Sequence, residues 1–119
     1  MKIAFTASGD SLDAPLDSRF GRASCFLIYD DTTGRLEALE NEQNLNAVQG
    51  AGIQAAAQMV RRDVDCVITG HCGPKAFQVL ESAGIKVYPC TAETVADAYQ
   101  LLKDGGLVAT ESATVEGHW

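Results

Sequence analysis

The chain is 119 residues long, with 46% hydrophobic and 21% charged residues, the ordinary make-up of one globular domain. Sixteen Asp and Glu against nine Lys and Arg give a net charge of −7, so neither nucleic acid nor an anionic membrane is an expected partner, because phosphate contact needs a basic field. No apolar run approaches the roughly 18 residues of a membrane span, and a strand beginning at Lys2 leaves no room for a secretion signal, so a cytoplasmic protein is expected.

Lys2 to Ala7 reads as the first strand and is followed by a long polar loop, Ser8 to Ser24. Cys25 to Asp30 is a second strand, and Arg35 to Asn41 a third. The turn Asp31-Thr-Thr-Gly34 between them is short enough to make the pair an antiparallel hairpin. A polar loop, Glu42 to Gln49, leads to a helix from Gly50 to Arg62. Ile53, Ala56, Ala57 and Val60 fall at i, i+3, i+4 and i+7 and are its expected buried face. Asp65 to Thr69 is a short apolar strand, and Gly70 to Gly73 a tight loop. Pro74 suits the first turn of a second helix, which buries Ala76, Phe77 and Leu80 and stops beyond Ser82 with Gly84 as its cap. Ile85 to Tyr88 is the last strand. Thr91 is the expected cap of a third helix with Val95, Ala98, Tyr99 and Leu102 on its inner face. The domain is expected to span residues 1–104, with residues 105–119 as a loosely held tail.

This order predicts an α/β fold. The strand–helix–strand passages require parallel pairing through crossovers, and the most economical mixed five-stranded sheet has the order 3-2-1-4-5, with helices on its faces. The first, third, fourth and fifth strands then point the same way. Their C-terminal edge gathers the loops Ser8–Ser24, Glu42–Gln49, Gly70–Gly73 and Pro89–Thr91 together with the N-termini of all three helices. Open α/β sheets bind ligands at such an edge, beside a switch in strand order.

The residues gathered there suit an anion. Gly50-Ala51-Gly52 opens the first helix and Gly70-His71-Cys72-Gly73 precedes the second. In each, a glycine allows close approach to the backbone and free N–H groups favour negative charge, although a tight strand–helix turn needs the same residues. The segment Arg19-Phe20-Gly21-Arg22 adds two planar guanidinium groups suited to a large soft anion, unless they pair instead with Asp10, Asp13 or Asp17. His71 is a candidate ligand or donor, and His118 lies in the tail. Four cysteines form no C-x-x-C pair. The topology puts Cys25, Cys72 and Cys90 at the loop-rich edge and Cys66 at the other end. Disulfides are not expected without a secretion signal.

The motifs Leu16-Asp-Ser-Arg-Phe-Gly-Arg-Ala23, Gly50-Ala-Gly-Ile-Gln-Ala-Ala57 and Val67-Ile-Thr-Gly-His-Cys-Gly-Pro74, followed by Ala83-Gly-Ile-Lys-Val87, resemble the dinitrogenase iron–molybdenum cofactor biosynthesis family, which includes NifX-like proteins and the C-terminal domain of NifB. The likeness extends to about Lys103. It implies a ribonuclease-H-like sheet that binds or ferries a metal–sulfur cluster or its precursor. Within the family, short stand-alone domains of this kind look like the orange proteins of sulfate reducers, which hold a molybdenum–copper sulfide cluster non-covalently. His71 and Cys72 carry over as candidate metal ligands, and the remaining residues named above as the candidate cluster site.

The leading expectation is therefore a non-catalytic carrier of an anionic, molybdenum-containing metal–sulfur cluster, either a molybdenum–copper sulfide or a precursor of the iron–molybdenum cofactor. Protein partners would deliver or accept it. A regulatory adaptor without a cluster is the alternative. A two-metal nuclease does not fit, because the first strand carries no carboxylate and Asp10, Asp13 and Asp17 lie in a loop. Thiolate ligation and an electrostatic cage are both open ways of holding the cluster, and a cluster whose valences are already filled by sulfide has less need of thiolates.

Overall fold

A computed structural model describes residues 1–40 and 51–111. These form β1 (Lys2–Ala7), β2 (Cys25–Asp30), β3 (Arg35–Glu40), α1 (Ala51–Arg61), β4 (Cys66–Thr69), α2 (Pro74–Ser82), β5 (Lys86–Pro89) and α3 (Val95–Lys103). The sheet order is β3-β2-β1-β4-β5, as expected. β1 pairs antiparallel with β2 and parallel with β4, β2 pairs antiparallel with β3, and β4 pairs parallel with β5. The register Ala7↔Cys25 and Cys25↔Glu40 aligns the end of β3 with that of β1.

Period-two alternation sorts the apolar side chains onto the two faces of the sheet. Ala4, Phe26, Ile28, Val67 and Val87 point to the side covered by α1 and α2. Ile3, Phe5, Leu27, Cys66 and Ile68 point to the side covered by α3 through Val95 and Ala98. Burial on both faces explains why β1, β2 and β4 read as nearly unbroken apolar runs.

Two expectations are corrected. α1 buries Ala55, Ala56 and Met59, with Gly52 on the same side, and leaves Ile53 and Val60 at 38% and 37% exposure. Both faces satisfy the same helical spacing, since only Gln54 and Gln58 interrupt the apolar run from Gly52 to Val60. The face of small residues lets the helix lie close, and the flexible Met59 fills the remaining volume. The cap of α3 is Thr94, whose Oγ1 accepts from the Asp97 N–H at 3.1 Å; Thr91 lies three residues too early to reach that group. At the end of α2, Gly84 takes φ +77° and its N–H reaches the Glu81 carbonyl, the left-handed cap expected there. Beyond α3, Leu107 packs against the α3-side core and the Thr110 N–H donates to Val87 O at 2.8 Å, so residues 107–110 run along the β5 edge. No helix among the described residues is long and apolar enough to cross a membrane.

Candidate functional site

The arginine loop is clamped to the C-terminal edge of the sheet at two places. The first is built on Thr6, buried at the end of β1. Its Oγ1 donates to Asp17 O at 2.6 Å and lies 2.9 Å from Thr69 Oγ1, while the Asp17 N–H donates back to Thr6 O at 2.8 Å. Thr6 and Thr69 are the buried polar side chains among the described residues, and each satisfies the other. The second clamp is a short parallel bridge between Arg19 and His71. The His71 N–H donates to Ser18 O at 2.7 Å and the Phe20 N–H to His71 O at 3.1 Å. This ladder lays the arginine loop against the turn that opens α2.

The loop also consumes the N-terminus of α3. The Val95 and Ala96 N–H groups donate to Ala14 O and Leu12 O at 3.0 and 2.8 Å, and Asp97 places an acid in that first turn. The positive end of α3 is therefore already answered. α2 differs. Its N-cap, Gly73, supplies no side-chain cap, and its first turn holds no acid but contains Lys75. α1 likewise has no acid in its first turn. Among the described residues, the end of α2 thus stays open to an anion at this edge while that of α3 does not.

The residues expected to bind fall into two groups. Arg19 is exposed; its backbone N–H and its Nε lie 2.9 and 3.8 Å from Asp17 Oδ1, so the acid steadies the loop through the main chain and meets the guanidinium only loosely. Arg22 is half-buried and His71 exposed. Phe20, by contrast, is a core residue, with its ring tilted against Phe26 at 5.4 Å. It anchors the loop from beneath. Gly21 and Gly73 are buried, and Gly52 lies on the inner side of α1. Ala51 begins that helix, and Gly50, the Glu42–Gln49 loop and His118 lie outside the described residues.

Gly70 is a glycine for the sake of the chain. A Cβ there would lie 2.7 Å from both Cα and O of Ser18, so the close approach it permits is that of the arginine loop. Cys72 is buried in the core between the sheet and α2, and burial pushes its thiol up from 9.0 to about 12. Cys66 is pushed to the same value by burial, at the opposite end of β4. Cys25 is also buried, its Sγ donating to Gly9 O at 2.8 Å, and burial raises its pKa. Among the described residues no three His, Cys, Asp or Glu side chains are grouped to hold a metal ion.

Two features were not drawn from the sequence. Lys75, in the first turn of α2, is a cation at the positive end of a helix, where lysine is normally disfavoured, and that mismatch was the signal available. The other is a hollow of about 430 Å³ beside the turn, lined by His71, Pro89, Cys90, Leu101 and Leu107. Its far wall comes from the end of α3 and the chain beyond it, which no local motif links to Gly70–Gly73.

The profile of a protein family described as dinitrogenase iron–molybdenum cofactor matches residues 1–105. The chain belongs to this dinitrogenase iron–molybdenum cofactor family. Among solved structures, it is similar to the apo form of the orange protein from Desulfovibrio gigas, with a TM-score of 0.92 and 38% identity over 96% of each chain. A Thermotoga protein provisionally assigned as NifB gives a TM-score of 0.84 and 32% identity over 98% of each chain. An uncharacterised protein of Methanocaldococcus jannaschii is 28% identical over 109 residues, 90% of this chain and 89% of that one. The dinitrogenase cofactor family and the orange protein point to cluster binding or carriage as the general role.

Proposed function

We propose that the chain is a non-catalytic carrier for a preformed, polyanionic molybdenum–sulfide cluster, with copper as its second metal, held at the C-terminal edge of the sheet by charge. The observation that carries this reading is the two-bond ladder between Ser18–Phe20 and His71, which brings the Arg19 loop to the uncapped, lysine-bearing start of α2. Arg19 and Lys75 are thus carried on neighbouring segments of a chain of net charge −7, a local exception to its acidic balance that suits an anion. Arg19, Arg22, Lys75 and the first-turn N–H groups of α2 would bear on the cluster, with His71 as a hydrogen-bond donor at the centre. Phe20, Gly70 and Gly73 shape the seat.

Thiolate ligation by Cys72 is the less favoured mode. The side chain is buried and packs into the core between the sheet and α2, and the same burial pushes its thiol up to about 12. Molybdenum and copper are the metals that the resemblance to the orange proteins implies; delivery to and collection by protein partners follows from a carrier role in the cytoplasm. The test is uptake. The apo-protein is incubated with tetrathiomolybdate, with and without copper, then desalted and assayed for molybdenum and visible absorption. Molybdenum co-eluting with protein is expected, and its complete absence under both conditions leaves only the adaptor reading.

A further inference from the structure

The hollow beside His71 differs in character from the charged residues Arg19 and Lys75 on the neighbouring segments. Pro89, Leu101 and Leu107 give it an apolar lining, joined by the buried Cys90 and the exposed Thr91. Leu101 is 39% exposed on the last turn of α3, although polar residues such as Gln100 and Lys103 surround it in sequence. Its position is fixed: the Gly106 N–H donates to Leu101 O at 2.8 Å, and a Cβ on Gly106 would lie 3.3 Å from Leu101 Cδ2. The chain therefore turns tightly over this leucine and brings Leu107 in beside it. At about 430 Å³ the hollow is within the range of small-ligand sites.

We infer that this hollow is the selectivity element of the site, admitting sulfide-coated anions and rejecting their oxo counterparts. The inference rests on the carrier reading, since His71 pairs with Arg19 and also lines the hollow. Charge alone cannot tell tetrathiomolybdate from molybdate, sulfate or phosphate, because Arg19 and Lys75 attract all of them. The walls can. Oxo-anions hold water through strong hydrogen bonds, and replacing that water by Leu101, Leu107 and Pro89 leaves their oxygens unsatisfied. Sulfide ligands are large, polarisable and weakly hydrated, so apolar contact costs them little and returns dispersion energy. The charges supply attraction and the hollow supplies discrimination.

The test is equilibrium dialysis of the full chain against tetrathiomolybdate and, separately, molybdate at one ionic strength, read by molybdenum analysis. Wild type is compared with Leu101→Gln and Leu107→Gln, each checked by far-UV circular dichroism. Leu101 is a surface position in a helix and glutamine is a good helix former, so that variant is expected to fold. Wild type should prefer the sulfide anion by about a hundredfold, and each variant should bind it about tenfold more weakly, the effect of withdrawing about 50 Å² of apolar contact, without losing molybdate affinity. If wild type binds tetrathiomolybdate but both folded variants bind it equally well, or molybdate binds as tightly, the hollow does not select and the carrier reading stands without it. If wild type binds no tetrathiomolybdate, the carrier reading fails and takes this inference with it.

Discussion

Replacing Gly70 by Ala puts a methyl group where the arginine loop now runs. The new Cβ would sit 2.7 Å from Ser18 Cα, 2.7 Å from Ser18 O and 2.9 Å from Ser18 Cβ. Carbon atoms rest at about 3.5–4.0 Å, so loop and turn must part by roughly 1 Å. Two of the atoms in the way are backbone, which leaves no side-chain rotation to absorb the change. The His71 N–H to Ser18 O bond, now 2.7 Å, would stretch past useful length, and the Phe20 N–H to His71 O bond would follow. Overpacking of this kind costs about 1–3 kcal/mol, with about 1 kcal/mol more for each hydrogen bond lost. Urea unfolding should therefore show a lower midpoint at an unchanged slope. Cluster retention should fall as well, by about tenfold or more, because Arg19 is carried away from α2 and a charge-assisted contact is worth about 1.5–3 kcal/mol. Wild-type midpoint and wild-type retention in Gly70→Ala would refute the ladder as the device that sets the site.

Arg19→Glu combined with Arg22→Glu should cut retention of tetrathiomolybdate by at least ~100-fold with an unchanged far-UV spectrum, two charge-assisted contacts being lost from a surface loop; undiminished retention shows that the loop binds nothing. Lys75→Glu should separate stability from binding, because an acid in the first turn of a helix stabilises by about 0.3–1 kcal/mol while the anion loses a cation. Thermal unfolding should rise slightly as retention drops, and a parallel change in both contradicts the assignment. Alkaline stability reports on the thiols. Below pH 9 the Cys72 proton is held in both states; between 9.0 and about 12 only the unfolded chain releases it, so the thiol's contribution is lost as pH rises through that window. The stability gap between wild type and Cys72→Ser, followed by urea unfolding, should consequently narrow above pH 9, and a constant gap to pH 11 would show that the thiol is not held protonated.

Most of the architecture was legible because local signals agreed with one another. The apolar runs of β1 and β2, the turn at Asp31–Gly34, Pro74 at the start of α2 and Gly84 at its end all point to the sheet order observed. The register of α1 was not legible. A run from Gly52 to Val60 with two glutamines offers two apolar faces, and close packing against the neighbouring core chose the one with the smaller residues. The cap at Thr94 was missed because Thr91 carries the same chemistry, and only the path of the chain decides which hydroxyl reaches the helix.

At the site, residue type revealed less than position. Arg19, His71 and the start of α2 lie together at one edge of the sheet, where the topology put their loops. Yet Phe20, Gly70 and Cys72, which sit in the same motifs, face the protein interior. A motif records which residues are needed together and does not separate those that touch a ligand from those that shape its seat. The hollow under Leu101 was invisible for another reason. Its lining comes from three separate segments, at His71, at Pro89–Thr91 and at Leu101–Leu107, and no local motif joins them.

The central claim is that charge, rather than thiolate ligation, holds a molybdenum–sulfide anion at this edge. It is tested most directly by measuring the molybdenum retained per protein after desalting from tetrathiomolybdate plus copper at rising sodium chloride, in wild type and in Cys72→Ser. Raising salt from 0.1 to 1 M shortens the screening length from about 10 Å to about 3 Å. The account predicts that retention falls steadily across this range and that Cys72→Ser follows wild type in both amount and spectrum. Retention that ignores salt in wild type and collapses in Cys72→Ser would contradict it and make the buried thiol the ligand.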